Sequence, residues 1–352
     1  MRTQQTVWNR PTGYAWNRQE HRLRAALRIV IQFGLWLLMT EAVAGVISII
    51  LGREGQMTGF AVRLVTMLVS TWLAARFVDK RLYRDFGLDM DRHWWTDLAF
   101  GLILGAVLMT AIFAAEYNLG WITVRKHFAG TYTGIRFGVA LFGALAVFIA
   151  VGISEELLTR GYQLRNMAEG FNFGRRHPAS ALVVAWLTSS AIFGFLHIFN
   201  PNTTWVSTAN LVLAGLFLGL GLVLTGRIGL SIGLHISWNF FQGNVYGFPV
   251  SGNDYSTAAT VLAIRQGGPE VWTGGAFGPE AGLVGLAAIL VGCILIVGWV
   301  WVRYGQVAWY RPYTVYSPPR TLDFFAEDVD EFPDPPLDDD TVGTSVMPPD
   351  DA

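Results

Sequence analysis

The chain alternates between long, continuously apolar stretches and short polar connections. Eight stretches, 25–51, 59–78, 98–117, 137–157, 179–198, 207–225, 228–248 and 283–302, approach the length at which a helix crosses the bilayer, which is about 20 residues for roughly 30 Å of hydrocarbon. Their apolar positions run on without the alternation of a barrel strand, and Leu, Ala and Gly dominate them, so the pattern predicts helices. The expected fold is an all-α membrane protein, a polytopic helical bundle of about eight transmembrane helices.

Composition agrees with this reading. Hydrophobic residues make up 52% of the 352 and charged ones only 14%, against roughly 25% in soluble domains. The net charge of -1 hides an asymmetry. Eleven of the 26 acids lie after Arg320, where there is no Lys or Arg, so the body before it is strongly basic. That last stretch also carries Pro333, Pro335, Pro336, Pro348 and Pro349, and its low apolar content predicts disorder. The expected segments are a cytoplasmic N-terminal stretch 1–24, accessory helices 25–136, a core 137–248, an extracytoplasmic connection with the last helix 249–302, and a disordered cytoplasmic tail 303–352.

Lys and Arg sort to one side of this parse. The N-terminal stretch and the second, fourth and sixth connections, with the end of the last helix, hold 18 of them, from Arg2 to Arg320. The other connections hold 5: Arg53, Arg125, Lys126, Arg136 and Arg265. Since cytoplasmic loops are enriched in Lys and Arg, both termini are expected in the cytoplasm; with no organellar targeting signal evident, the expected membrane is a bacterial plasma membrane. No signal peptide is expected, because the first apolar run follows 24 polar and basic residues and is too long. The one cysteine, Cys293, excludes an internal disulfide and a Cys-rich zinc site. A nucleic-acid partner is not expected; the lipid bilayer and a peptide or membrane-protein substrate are.

Ionisable groups at bilayer depth are costly unless paired or hydrated, which makes their positions informative. Three clusters stand out: Ser154-Glu155-Glu156-Leu157-Leu158-Thr159-Arg160, Phe193-Gly194-Phe195-Leu196-His197, and His235-Ile236-Ser237-Trp238-Asn239. Glu156 and Arg160 are four residues apart and share a helical face, so they can pair. Glu155 points about 100° away from Glu156 and lacks that cation, as suits a general base. His235 and Asn239 again share a face, and His197 adds an imidazole from another helix. Each cluster alone is as well read as a packing or topology device; three together, on separate helices, point to chemistry. Arg28 and Arg76, near helix ends, are expected to snorkel, and Glu41, Arg63 and Glu116 to be structural. Trp94, Trp95, Trp299 and Trp301 read as interfacial anchors.

At these residues the sequence resembles the CPBP or Abi family, the CAAX-processing endopeptidases and bacteriocin-processing proteins. The family pattern Glu-Glu-x-x-x-Arg, Phe-x-x-x-His and His-x-x-x-Asn is met in order by Glu155, Glu156 and Arg160, by Phe193 and His197, and by His235 and Asn239. The resemblance covers the four-helix core, about residues 137–248. It implies an intramembrane endopeptidase with its site in a wet chamber. Carried over, Glu155 and His197 activate water, His235 and Asn239 stabilise the oxyanion, Glu156 and Arg160 brace the site, and Phe193 packs its wall. Two chemistries stay open. Glu155, His197 and His235 are a plausible ligand set for a divalent metal such as zinc. His-Glu-x-x-His is absent, however, and a glutamate-type mechanism without an obligatory metal is preferred.

Two other functions compete with the peptidase. A non-catalytic scaffold or bacteriocin-immunity-type protein would keep the clusters for stability alone. A transporter would use Glu155, His197 and His235 as a proton relay, but no inverted repeat is visible.

Overall fold

Apolar runs with defined stops set the helices of this computed structural model, which describes residues 15–52, 55–130, 135–172, 177–255 and 258–318. The expected disorder after Arg320 lies outside the described residues. A two-residue pairing of β1 (Trp16–Asn17) with β2 (Arg22–Leu23) precedes α1 (Ala25–Leu51). Then follow α2 (Gln56–Leu73), α3 (Arg92–Asn118), β3 (Ile122–Ala129), α4 (Phe137–Glu156), α5 (Arg165–Phe171), α6 (Pro178–Leu196), α7 (Trp205–Thr225), α8 (Gly229–Phe240), β4 (Thr260–Gln266) and α9 (Leu283–Tyr304). The boundaries have local causes. Asp91 caps α3 by accepting from the Trp94 amide, and Thr204 and Ser207 form a capping box on α7. Pro178 opens α6, where its missing N–H costs nothing.

Three helices continue into π-helical turns: α2 into Ala74–Asp79, α4 into Leu157–Leu164 and α8 into Phe241–Val245. The α4 turn joins α5, so that Phe137–Phe171 is one apolar segment of 35 residues. Seven of the eight expected stretches form helices long and apolar enough to span a membrane. The chain is a polytopic, all-α integral membrane protein. The eighth, 228–248, is the correction: its α-helix has 12 residues and its π turn 5. Together they are at the short limit of the about 17–25 residues of a span. Every residue of 229–239 is buried, with α3, α4 and α7 packed around the helix. Its apolar surface faces protein instead of lipid.

Close approach of α3 to α8 is what buries it. Gly101 and Gly105 lie against the Leu230 and Leu234 carbonyls, and Gly233 against the Leu98 carbonyl, leaving no room for a Cβ. The small residues are therefore contacts between backbones.

Two features had no counterpart in the apolar pattern. β3 and β4 pair antiparallel, Ile122 opposite Gln266 and Ala129 opposite Thr260, with an irregularity between Val124 and Lys126. This ribbon joins connections that are distant in sequence. At the other end of the bundle, four arginines converge on two buried carboxylates. Glu169 pairs with Arg22 at 2.7 Å, Arg28 at 3.2 Å, Arg81 at 2.5 Å and Arg165 at 3.2 Å. Arg28 also reaches Asp79 at 3.2 Å, and the Tyr162 hydroxyl donates to Asp79. The expectation that Arg28 snorkels does not hold: it is 2% exposed and paired inside the protein with Asp79 and Glu169. Arg76 is half-buried and Glu41 exposed, whereas Glu116 is buried and accepts from the Gln266 amide at 2.7 Å.

Residues 305–318, grouped with the tail in the sequence reading, pack as a strap across this arginine-rich end. The Tyr310 amide donates to the Val223 carbonyl, the Tyr313 hydroxyl to that of Gly226 and the Tyr316 hydroxyl to that of Lys80. The Arg22 guanidinium stacks on the Tyr316 ring at 3.4 Å.

The glycine contacts are testable by adding one methyl. Gly233→Ala must push α8 from α3 and should cost about 1–3 kcal/mol, as overpacking does. Gly298 on α9 has nothing within 4 Å of the position of a Cβ. Gly298→Ala should therefore be neutral or stabilising, by up to about 1 kcal/mol from helix propensity. Thermal unfolding in detergent compares the two, and equal effects would contradict the backbone-contact reading.

Candidate active site

The three clusters meet. Glu155 and Glu156 are the last residues of α4, His197 is the C-cap of α6, and His235 and Asn239 lie one turn apart on α8. The π turn that starts at Leu157 widens the helix directly after the two glutamates, the position at which such turns commonly mark functional sites.

Glu156 and Arg160 form the expected pair. The Arg160 guanidinium donates to Glu156 Oε1 at 2.9 Å, with 1% and 0% of the side chains exposed. It also donates to Thr159 Oγ1 at 2.8 Å and to the Gly215 carbonyl of α7 at 3.1 Å. Glu156 Oε1 also accepts from His235 Nδ1 at 2.8 Å. One carboxylate oxygen thus ties α4 to α8, while its arginine ties α4 to α7. Phe193 is packed below this pair, with the guanidinium carbon 4.1 Å above its ring centre and the His197 ring 4.8 Å away.

Glu155 differs in kind. Its side chain is 37% exposed and its Oε2 lies 3.9 Å from Nε2 of both His197 and His235. The tautomers follow from the far side of each ring. His197 Nδ1 is 2.8 Å from the Phe193 carbonyl, which only accepts, so Nδ1 carries the proton. His235 Nδ1 donates to the Glu156 carboxylate in the same way. In the neutral rings both Nε2 lone pairs therefore face Glu155. Asn239 lines the same space and its amide has no protein hydrogen bond among the described residues.

These groups open onto a cavity of about 760 Å³. Its walls are apolar and aromatic, with Trp36, Phe60, Phe148, Phe217 and Trp238, and Arg63 stands exposed beside them. The donor types for a metal are present in Glu155, His197 and His235. Yet among the described residues no three His, Cys, Asp or Glu side chains are gathered closely enough to hold one ion.

Sequence reasoning missed a second polar set on the cavity wall. Glu280 is buried and accepts from Gln242 Nε2 at 2.8 Å and from the Ser251 amide and hydroxyl at 3.2 and 3.1 Å. Asn200 donates to the Ser251 carbonyl at 2.9 Å. Together they hold the 249–255 connection over the cavity. The available signal was a carboxylate, Glu280, directly before the last apolar run, but its partners are 29 and 38 residues away.

Two outcomes are expected. Glu156→Ala leaves the Arg160 guanidinium buried without its counter-charge and should cost about 3–5 kcal/mol in unfolding experiments. Burial pushes the Glu280 carboxyl up to about 7, outweighing its three donors. The protonated form is thus the one the fold favours, and this group's contribution is lost as pH rises from the ordinary carboxylate range through about 7. Thermal stability should therefore fall over that window more steeply in the wild-type protein than in Glu280→Gln.

Comparison with known proteins agrees with the geometry. Residues 137–241 match the family described as Rce1-like, Type II CAAX prenyl endopeptidase. A protein of Bacillus subtilis (strain 168), described as uncharacterized protein YyaK, is 27% identical over 189 residues. That alignment covers 50% of this chain and 58% of the relative, so the chain spans little more than half of that protein's length. No solved structure matches. The part of the chain that is similar to the Rce1-like family, residues 137–241, is the part where α4, α6, α7 and α8 bring the three motifs together.

Proposed function

We propose that this protein is an intramembrane endopeptidase that hydrolyses peptide bonds of membrane-associated substrates with water activated by Glu155. The observation that carries the reading is the exposed Glu155 carboxylate set 3.9 Å from two imidazole nitrogens at the wall of a large, mostly apolar cavity.

In this mechanism a water sits between Glu155 and His197 Nε2. Glu155 takes its proton as the oxygen attacks the scissile carbonyl, and later delivers that proton to the leaving amine. Water is consumed, the C–N bond breaks, and a carboxylate and an amine result. The developing oxyanion faces His235 and Asn239. To donate there, His235 must carry protons on both nitrogens, and Glu156 against Nδ1 is the counter-ion for that form. Asn239 offers its unused N–H. Preset donors of this kind contribute about 3–4 kcal/mol each in other enzymes.

Purified protein in liposomes, and the membrane peptides of cells expressing it, test the proposal. Glu155→Gln should lower cleavage by about 10²–10⁴-fold with unchanged thermal stability. Asn239→Ala should lower it by about 10²–10³-fold. Chelators should leave the wild-type rate intact. A Glu155→Gln variant with normal cleavage would remove the basis for a hydrolase.

A further inference from the structure

The connections of the bundle fall into two sets, each joined by its own hydrogen bonds. At one end, Lys80 donates to the His21 carbonyl, Arg227 pairs with Asp91, and the strap 305–318 reaches Val223, Gly226 and Lys80. At the other end, Asn200 and Asn202 reach the 251–252 backbone, β3 pairs with β4, and Gln266 reaches Glu116. The first end holds most of the 18 Lys and Arg of the basic connections, and the second holds Arg125, Lys126, Arg136 and Arg265.

The cavity belongs to the second end. Among its lining residues, Gly55, Asn200, Ser251, Asn253 and Glu280 come from the sparsely charged end or next to it. None of its lining residues comes from the described connections 80–91, 226–228 or 305–318. The cavity lies away from the basic end.

Cytoplasmic loops are the ones enriched in Lys and Arg. We infer that the catalytic cavity opens to the extracytoplasmic face, and that its substrates are apolar peptide segments presented at the outer water–membrane boundary. The aromatic walls, Trp36, Phe60, Phe148 and Phe217, suit an extended apolar segment, and the polar groups at the mouth suit a chain arriving from water. This substrate class rests on the hydrolase reading, whereas the sidedness does not.

The single cysteine makes sidedness measurable. In a full-length Cys293→Ser background, single cysteines are placed at Lys126, exposed on β3, at Asn253 and Arg63 in the cavity, and at Arg92, exposed at the basic end. Intact bacterial cells expressing each variant are treated with a small membrane-impermeant thiol reagent. Lys126→Cys and at least one of Asn253→Cys and Arg63→Cys should label without permeabilisation, and Arg92→Cys only after it. Labelling of both cavity positions only after permeabilisation, or at no stage, overturns the inference, as does an Arg92→Cys that labels first. Correct labelling with membrane peptides indifferent to Glu155→Gln would retain the sidedness and remove the hydrolase. With both in place, Glu155-dependent cuts should map to extracytoplasmic segments, and cuts confined to cytoplasmic termini would overturn the substrate class.

Discussion

A carboxylate with no access to water, Glu156, holds the site together. Its Oε1 receives hydrogen bonds from two other helical turns, one through Arg160 and one through His235. A buried charge of this kind needs a partner, and breaking such a pair costs several kcal/mol. The pairing therefore fixes α8 against α4 more sharply than apolar packing would. It also sets the His235 ring orientation, which decides where the other ring nitrogen points. Glu155, its neighbour in sequence, is released from structural duty by the same arrangement. One glutamate fixes the geometry while the next faces the cavity.

The rest of the fold serves to bring α8 to that carboxylate. The glycine contacts of α3 allow the backbones to approach, and α7 supplies the Gly215 carbonyl that satisfies Arg160. At the other end of the bundle, Glu169 and Asp79 draw arginines from the N-terminal segment, α1, the end of α2 and α5. That cluster secures the outer helices α1 and α2 to the core. Those helices in turn supply Trp36, Phe60 and Arg63 to the cavity wall. Two charged clusters, one beneath the site and one distant from it, thus position the reactive and the enclosing halves.

Much of this was legible before any coordinates. Apolar run length identified the spans, and the spacing of Glu156 from Arg160, and of His235 from Asn239, gave shared faces because helical periodicity is local. The one misread run, 228–248, shows the boundary of that logic. Lipid and protein interiors select for the same residues, so apolar content alone cannot separate a span from a wrapped core helix. Arg28 was misplaced for a related reason. Its position near a helix end is local information, but its partner Glu169 is 141 residues away. The β3–β4 ribbon and the Glu280 clamp depend on equally distant pairings, and no periodicity announces those.

The wrapped helix α8 has a bearing on biogenesis. At 12 α-helical residues and 5 π-helical ones, it is at the short limit of what crosses a bilayer, and its surface is covered by protein. Every helix it packs against most closely, α3, α4 and α7, precedes it in the chain. A finished berth of protein is therefore waiting when the ribosome delivers it. His235 and Asn239 arrive with α8, so the three motifs come together only once it is seated against α3, α4 and α7.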